Sequence, residues 1–187
     1  ELDRAADGLC RHYLWRRRFQ AGEAACKVAA EALLRIPSAN KDRIEGAEQK
    51  RILARIQLWG TLFCKRAEAD QLLSQALEIL GSSQLDVIDT RRERAFAMGR
   101  AGDLAFDHDD KQARHFYERS MALYRELNDA WGTAKLLTAL GWLAARGGQM
   151  EEARQLGEKA LVLVRASGDM KRTADILWLL ATVAISE

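Results

Sequence analysis

Side chains able to do chemistry are few in this sequence, and their spacing suits catalysis poorly. Cys10-Arg11-His12 sets a thiol two residues from an imidazole. On a helix those two project about 200° apart, so they cannot share a metal ion. His108-Asp109-Asp110, followed by His115, is richer. Two carboxylates ahead of a helix have a plainer task, however: they accept the unpaired backbone N–H groups and face the positive helix terminus. Two basic runs, Arg16-Arg17-Arg18 and Arg91-Arg92-Glu93-Arg94, could in principle hold phosphates. No aromatic residues are interleaved with them, and 29 Lys and Arg against 27 Asp and Glu leave a net charge of only +2. A nucleic-acid surface calls for a stronger basic excess. The first run suits a helix C-terminus, and the second suits ion pairs with Asp86 and Asp89. No phosphate-binding GxxxxGK[ST] loop, HExxH, GxSxG or CxxC is present. Cys10, Cys26 and Cys64, an odd set with no close pair, read as buried or idle thiols of a reducing cytoplasm. The chemistry therefore points away from an enzyme and calls for no cofactor and no metal.

The elements that would position any site are helices. Of 187 residues, 48% are hydrophobic, 30% are charged and one is proline, Pro37. Ala, Leu, Arg, Glu and Gln dominate, and clusters of β-branched and aromatic residues are scarce, which predicts an all-α chain. No apolar run approaches the roughly 20 residues of a membrane span. The sequence begins Glu1-Leu2-Asp3 and stops within an apolar helical pattern at Ala184-Ile185-Ser186-Glu187, as expected of a piece of a longer protein.

The sequence repeats at a shift of 40. Matches include Ala113 with Ala153, Arg114 with Arg154, Asp129 with Asp169, Thr133 with Thr173, Leu137 with Leu177 and Leu140 with Leu180. Each unit reads as a helical hairpin. Helix A is expected from Thr133 to Arg146, with Leu136, Leu137, Leu140, Leu143 and Ala144 on one face and Gly147-Gly148 ending it. Helix B opens at Glu151-Glu152 and buries Ala153, Leu156, Ala160, Leu161 and Leu163, before Ser167-Gly168-Asp169 breaks it. Asp169 or Thr173 is expected to cap the next A helix. Upstream, Lys65 to Leu80 reads as a helix B, with Ala69, Leu73 and Ala76 inward, after a long helix from Lys41 to Phe63. A first pair spans Leu2 to Arg18 and Ala21 to Ile36, ended by Pro37-Ser38. A single domain is expected, with hairpins at about 2–36, 41–80, 90–127 and 130–167 and a lone helix at 173–187.

These residues resemble the tetratricopeptide repeat. Leu140-Gly141 stand at the family's Leu-Gly pair, Ala153 follows Gly141 by twelve residues, and Ala160 follows by seven more. Such small residues let two helices approach closely. The family's Tyr on helix A is Ala144 here, its aromatic on helix B is Gly157, and its terminal Pro is missing. In the preceding unit Ala101 replaces the Gly, while Ala113, Tyr117 and Ser120 hold the helix B positions. The resemblance implies a right-handed α-α superhelix of about four hairpins plus one extra helix. The segments Glu118 to Asp129 and Leu136 to Glu152 are also similar to long-period repeats of bacterial multidomain signalling proteins, as is Arg17 to Glu23. In those proteins, STAND-type or maltose-regulator-like, a nucleotide-binding switch ATPase is joined to a repeat array that acts as a sensor or autoinhibitory arm.

In tetratricopeptide arrays the A helices line the concave groove. Carried from the Leu140-Gly141 match, the groove positions are Lys135, Thr138, Trp142 and Ala145. One period back gives Ala95, Met98, Gly102 and Ala105, and one forward gives Asp175, Trp178, Thr182 and Ile185. Trp142, Trp178 and Met98 would form an aromatic and apolar stripe suited to a protein or peptide, including another domain of the same chain. Packing of the two tryptophans between repeats as ordinary core is the competing reading. Trp15 and Trp59 are expected in the core, and Trp131 at a helix junction. A small-molecule effector pocket, as in a transcriptional regulator, and a structural or oligomerisation arm are the other functions that fit. The last helix should leave an apolar edge at Leu177 and Leu180, or make a homodimer contact there.

Overall fold

The computed structural model describes residues 2–37, 42–165 and 168–186. Among the described residues there are nine α-helices, a short 3-10 turn at Ser83–Leu85 and no strand. The helices are α1 (Leu2–Trp15), α2 (Phe19–Arg35), α3 (Arg43–Gly60), α4 (Arg66–Leu80), α5 (Arg91–Ala105), α6 (Asp110–Glu126), α7 (Ala130–Arg146), α8 (Met150–Arg165) and α9 (Met170–Ser186). The chain is an all-α helical-repeat solenoid. It divides into two compact units, residues 1–100 and 101–187, with α5 crossing the boundary. Ser38, Lys41, Ser167 and Glu187, where the sequence places a helix stop, a helix start, a break and the end of the last helix, lie outside the described residues.

Helix starts follow from carboxylates placed one residue ahead. Asp42, Asp109, Asp129 and Asp169 accept the backbone N–H groups of Glu45 (2.7 Å), Gln112 (2.9 Å), Gly132 (2.8 Å) and Arg172 (3.0 Å). Each satisfies a donor that the helix itself leaves unpaired. The last two are 40 residues apart, and the repeat extends to the next bond. Thr133 and Thr173 donate their Oγ1 protons to the carbonyls of Asp129 (2.8 Å) and Asp169 (2.9 Å). The two threonines are therefore inside their helices and not at the caps, and α7 and α9 each begin three residues earlier than the apolar period indicates. The junctions close on left-handed residues, Asn128 (φ 52°) and Gly168 (φ 67°). Gly148 (φ 75°) closes the end of α7, where the Gln149 N–H reaches the Ala144 carbonyl at 2.9 Å.

In unit 1, α1/α2 and α3/α4 are the hairpins. Their core holds Cys10, Cys26, Leu33, Ile56, Trp59 and Phe63, and Trp59 meets Phe96 edge-on at 5.2 Å. Trp59 is core, as expected, but Trp15 is 65% exposed at the end of α1, with the Arg16 guanidinium over its ring. The helices of this unit are also tied by buried charge. The Glu93 side chain, only 1% exposed, accepts from Arg51 at 2.7 Å and Arg55 at 3.0 Å. Arg55 also pairs with Asp7 of α1, whose Oδ1 takes the Trp59 indole N–H at 2.8 Å. The second basic run thus resolves into local pairs: Arg91 binds Asp89 at 2.7 Å, and Arg94 reaches the Leu80 carbonyl at 3.0 Å.

In unit 2, α6 to α9 stack in sequence order. Leu136, Leu137, Leu140, Leu143 and Ala144 of α7 are all buried. Against them α8 presents Ala153, Gly157, Ala160 and Val164, and α9 presents Ile176, Leu179 and Val183. Leu156, Leu161 and Leu163 are half-buried at the edges of the same seam. Gly157 stands where the family has an aromatic, and Leu180 occupies the space: a Cβ on Gly157 would lie 2.7 Å from Leu180 Cδ2. In the preceding repeat the Tyr117 ring fills this place and lies against Gly102.

Ala153 is fully buried in this seam. Ala153→Leu should overpack it and lower unfolding stability by about 1–3 kcal/mol, while Gln155→Leu on the exposed side of α8 stays within about 0.5 kcal/mol. Urea unfolding monitored by circular dichroism checks both; equal stability of the two variants would contradict the packing described.

Candidate partner-binding face

The candidate face is built on the A helices of unit 2. The Asp129 cap sets the start of α7, and the Asp169 cap sets that of α9. Asp169 also accepts the Trp131 indole N–H at 2.9 Å, and the Arg172 guanidinium lies 4.2 Å from the centre of the Trp131 ring. Trp131 thus pins the start of α7 to the start of α9, the junction role its position suggests. Burial raises the Asp169 pKa, but the Arg172 backbone N–H and the Trp131 indole N–H outweigh it and hold the carboxyl below its ordinary value.

With both helices anchored, Trp142 and Trp178 meet. Their ring centroids are 5.1 Å apart with planes at 63°, an edge-to-face pair. Trp142 is half-buried and packs on the cluster of Ala144, Ala153, Leu179 and Val183. Trp178 is 68% exposed. Trp142 therefore supports the pair, and Trp178 presents it to solvent. Leu177 and Ile185 of α9 are also exposed, whereas Leu180 is half-buried over Gly157. The apolar edge of the last helix accordingly runs through Leu177, Trp178 and Ile185.

The other expected groove residues are placed as follows. Lys135 is half-buried and binds Asp103 at 3.3 Å, and the other oxygen of Asp103 takes the Tyr117 hydroxyl at 3.1 Å. Asp175 is exposed one turn before Trp178. Thr138 is only 7% exposed and donates to the Ala134 carbonyl at 2.9 Å, so its hydroxyl is already used within α7. Ala95 is fully buried, and Met98 is half-buried in unit 1. Asp103 was not singled out by the sequence reading; its position two residues after Ala101, between Lys135 and Tyr117, depends on how α5, α6 and α7 pack. Asp109 takes the capping role expected of it, and Asp110 pairs with Arg146, whose guanidinium also stacks on Phe106.

Residues 93–166 match the family model described as tetratricopeptide repeat. This segment is a tetratricopeptide-repeat array. The chain is also similar to a solved structure, BtubC (BKLC) from P. vanneervenii, with a TM-score of 0.55 and 15% sequence identity. The match covers 97% of this chain and 79% of that one, and at this identity it carries the fold alone. No curated protein matches in sequence. Tetratricopeptide repeats generally mediate protein–protein interaction, and no helix among the described residues is long and apolar enough to cross a membrane.

A group whose folded pKa is depressed contributes stability above its unfolded pKa and loses it as pH falls through the folded value. Asp169→Asn keeps a capping side chain but loses the charge that faces the helix terminus and Arg172, so it should be less stable than wild type at neutral pH by up to about 1 kcal/mol. The gap should narrow below about pH 4, where the unfolded carboxylate protonates. Thermal unfolding of both proteins across this range checks it; a gap that widens on acidification would contradict the assignment.

Proposed function

We propose that the chain is a non-catalytic interaction module whose unit 2 captures a protein or peptide segment on the A-helix face of α7 and α9. The observation that carries this reading is the exposure of Trp178 on the support of Trp142. The scaffold does not require it: one period earlier the same position holds Thr138, buried and self-satisfied. Covering the open part of one tryptophan removes on the order of 100 Å² of apolar surface from water, worth about 2–3 kcal/mol. An exposed ion pair such as one made by Asp175 gives about 0–1 kcal/mol. The aromatic pair thus supplies affinity, while Asp175 and the Lys135–Asp103 pair select what lies beside it.

In a signalling protein of the kind the sequence resembles, such a face works by differential binding. Its occupant, from a separate protein or from another domain of the same chain, shifts the balance between an inhibited and an active state. The exposed Leu177, Trp178 and Ile185 favour one second reading, a symmetric contact with another copy through α9.

Panning a random peptide display library against the protein tests the proposal. Selected peptides should contain an apolar or aromatic anchor and lose at least tenfold in affinity to Trp178→Ala, whose circular dichroism and melting temperature should stay close to wild type. Selected peptides that bind wild type and Trp178→Ala alike would contradict the proposal. Concentration-dependent self-association lost in the same variant would assign the face to a second copy instead.

A further inference from the structure

Cys10 and Cys26 are 16 residues apart in sequence, on α1 and α2, yet their sulfurs lie 3.9 Å from each other in the core of unit 1. By spacing alone the three thiols form no close pair and read as buried or idle. The packing of the first hairpin makes two of them neighbours. A disulfide needs its sulfurs about 2.05 Å apart. Closing the gap moves each sulfur by about 1 Å. We propose that Cys10 and Cys26 form a dithiol modification site, closed to an intramolecular disulfide by a small thiol oxidant of the peroxide class.

The reaction balances with peroxide as the oxidant. The Cys10 thiolate attacks one oxygen of hydrogen peroxide, the O–O bond breaks, and the departing hydroxide takes up a proton to leave as water; Cys10 is then a sulfenic acid. The Cys26 thiol gives up its proton as its sulfur attacks the Cys10 sulfur. The S–O bond breaks, and the departing hydroxide leaves as a second water. Two thiols are oxidised by two electrons, and one peroxide is reduced to two waters.

The surroundings assign the order of attack. Either sulfur can donate in their 3.9 Å contact; with Cys26 as the donor, it lowers the Cys10 pKa against the opposing effects of burial and of the Asp7 carboxylate one turn earlier. The same hydrogen bond, with burial, raises the Cys26 pKa. In that arrangement Cys10 is the attacking sulfur and Cys26 the resolving one. Cys64 is more open to solvent, but burial of its thiol and the nearby Glu68 raise its pKa and keep it protonated. Exposure alone would favour Cys64, so the proposal predicts reaction at a less exposed residue. A closed disulfide would fasten α1 to α2, alongside the tie that Asp7 makes to Arg55 and Trp59.

The test is peptide mapping of the full chain after hydrogen peroxide, trypsin and non-reducing mass spectrometry. The expected product joins the peptide 5–11 to the peptide 19–27 with loss of two hydrogens, and dithiothreitol reverses it. Cys64→Ser should leave the yield unchanged. Cys26→Ser should leave Cys10 as a sulfenic acid trapped by dimedone. Amide exchange in α1 of the cross-linked wild type should slow at least several-fold relative to the reduced chain. A product linked mainly through Cys64, a predominantly intermolecular dimer, or oxidation of Cys10 to the sulfinic acid in wild type without a cross-link would each overturn the proposal. Should Cys26→Ser fail to fold, the wild-type and Cys64→Ser maps decide the matter alone.

Discussion

Close approach of the helices governs this structure. Two helices can pack tightly only where the side chains between them are small, and unit 2 meets that condition at Ala153, Gly157 and Ala160 on one side and Gly141 and Ala144 on the other. The larger side chains then have fixed places. Leu179 lies over Gly141, where a Cβ would come within 2.5 Å of its Cδ2, and Leu180 lies over Gly157. Because Leu179 and Leu180 are held in this way, the next position back on α9, Trp178, must point outward. The face that carries the aromatic pair is therefore a consequence of where alanine and glycine stand in α7 and α8.

The same constraint explains which parts of the fold were legible in sequence. In unit 2 Ala113 and Ala153, Leu140 and Leu180, and Asp129 and Asp169 recur at 40, so the helices and the seam between them could be read together. The starts of α7 and α9 were placed three residues late because the apolar period opens at Thr133 and Thr173; of the two caps the sequence offered for α9, Asp169 is the one used, and Asp129 matches it one period earlier. Unit 1 was harder for a physical reason. Counting twelve residues back from Ala69, the family's small position falls on Gln57, which hydrogen-bonds Gln75 at 3.1 Å across α3 and α4. Part of what joins α1, α3 and α5 is the buried set Asp7, Arg51, Arg55 and Glu93, which looks like surface charge in an apolar pattern. Trp15, expected inside, lies beyond the last turn that this arrangement buries.

The candidate face was legible in part. Trp142 and Trp178 were placed on one face by the tetratricopeptide resemblance together with the 40-residue shift, and their rings do touch. Burial of Thr138 was not legible, because a threonine can return its hydroxyl to the carbonyl four residues earlier and so tolerate burial in a helix. The approach of Cys10 to Cys26 could not be read either, since it depends on how α1 rolls against α2 and not on spacing along the chain.

Labelling the five tryptophans with 5-fluorotryptophan and following their ¹⁹F resonances on addition of a library-selected peptide tests the central claim most directly. The account predicts that the Trp142 and Trp178 signals shift while those of Trp59 and Trp131 stay in place. Shifts confined to Trp15, Trp59 or Trp131, with Trp142 and Trp178 unmoved, would contradict it.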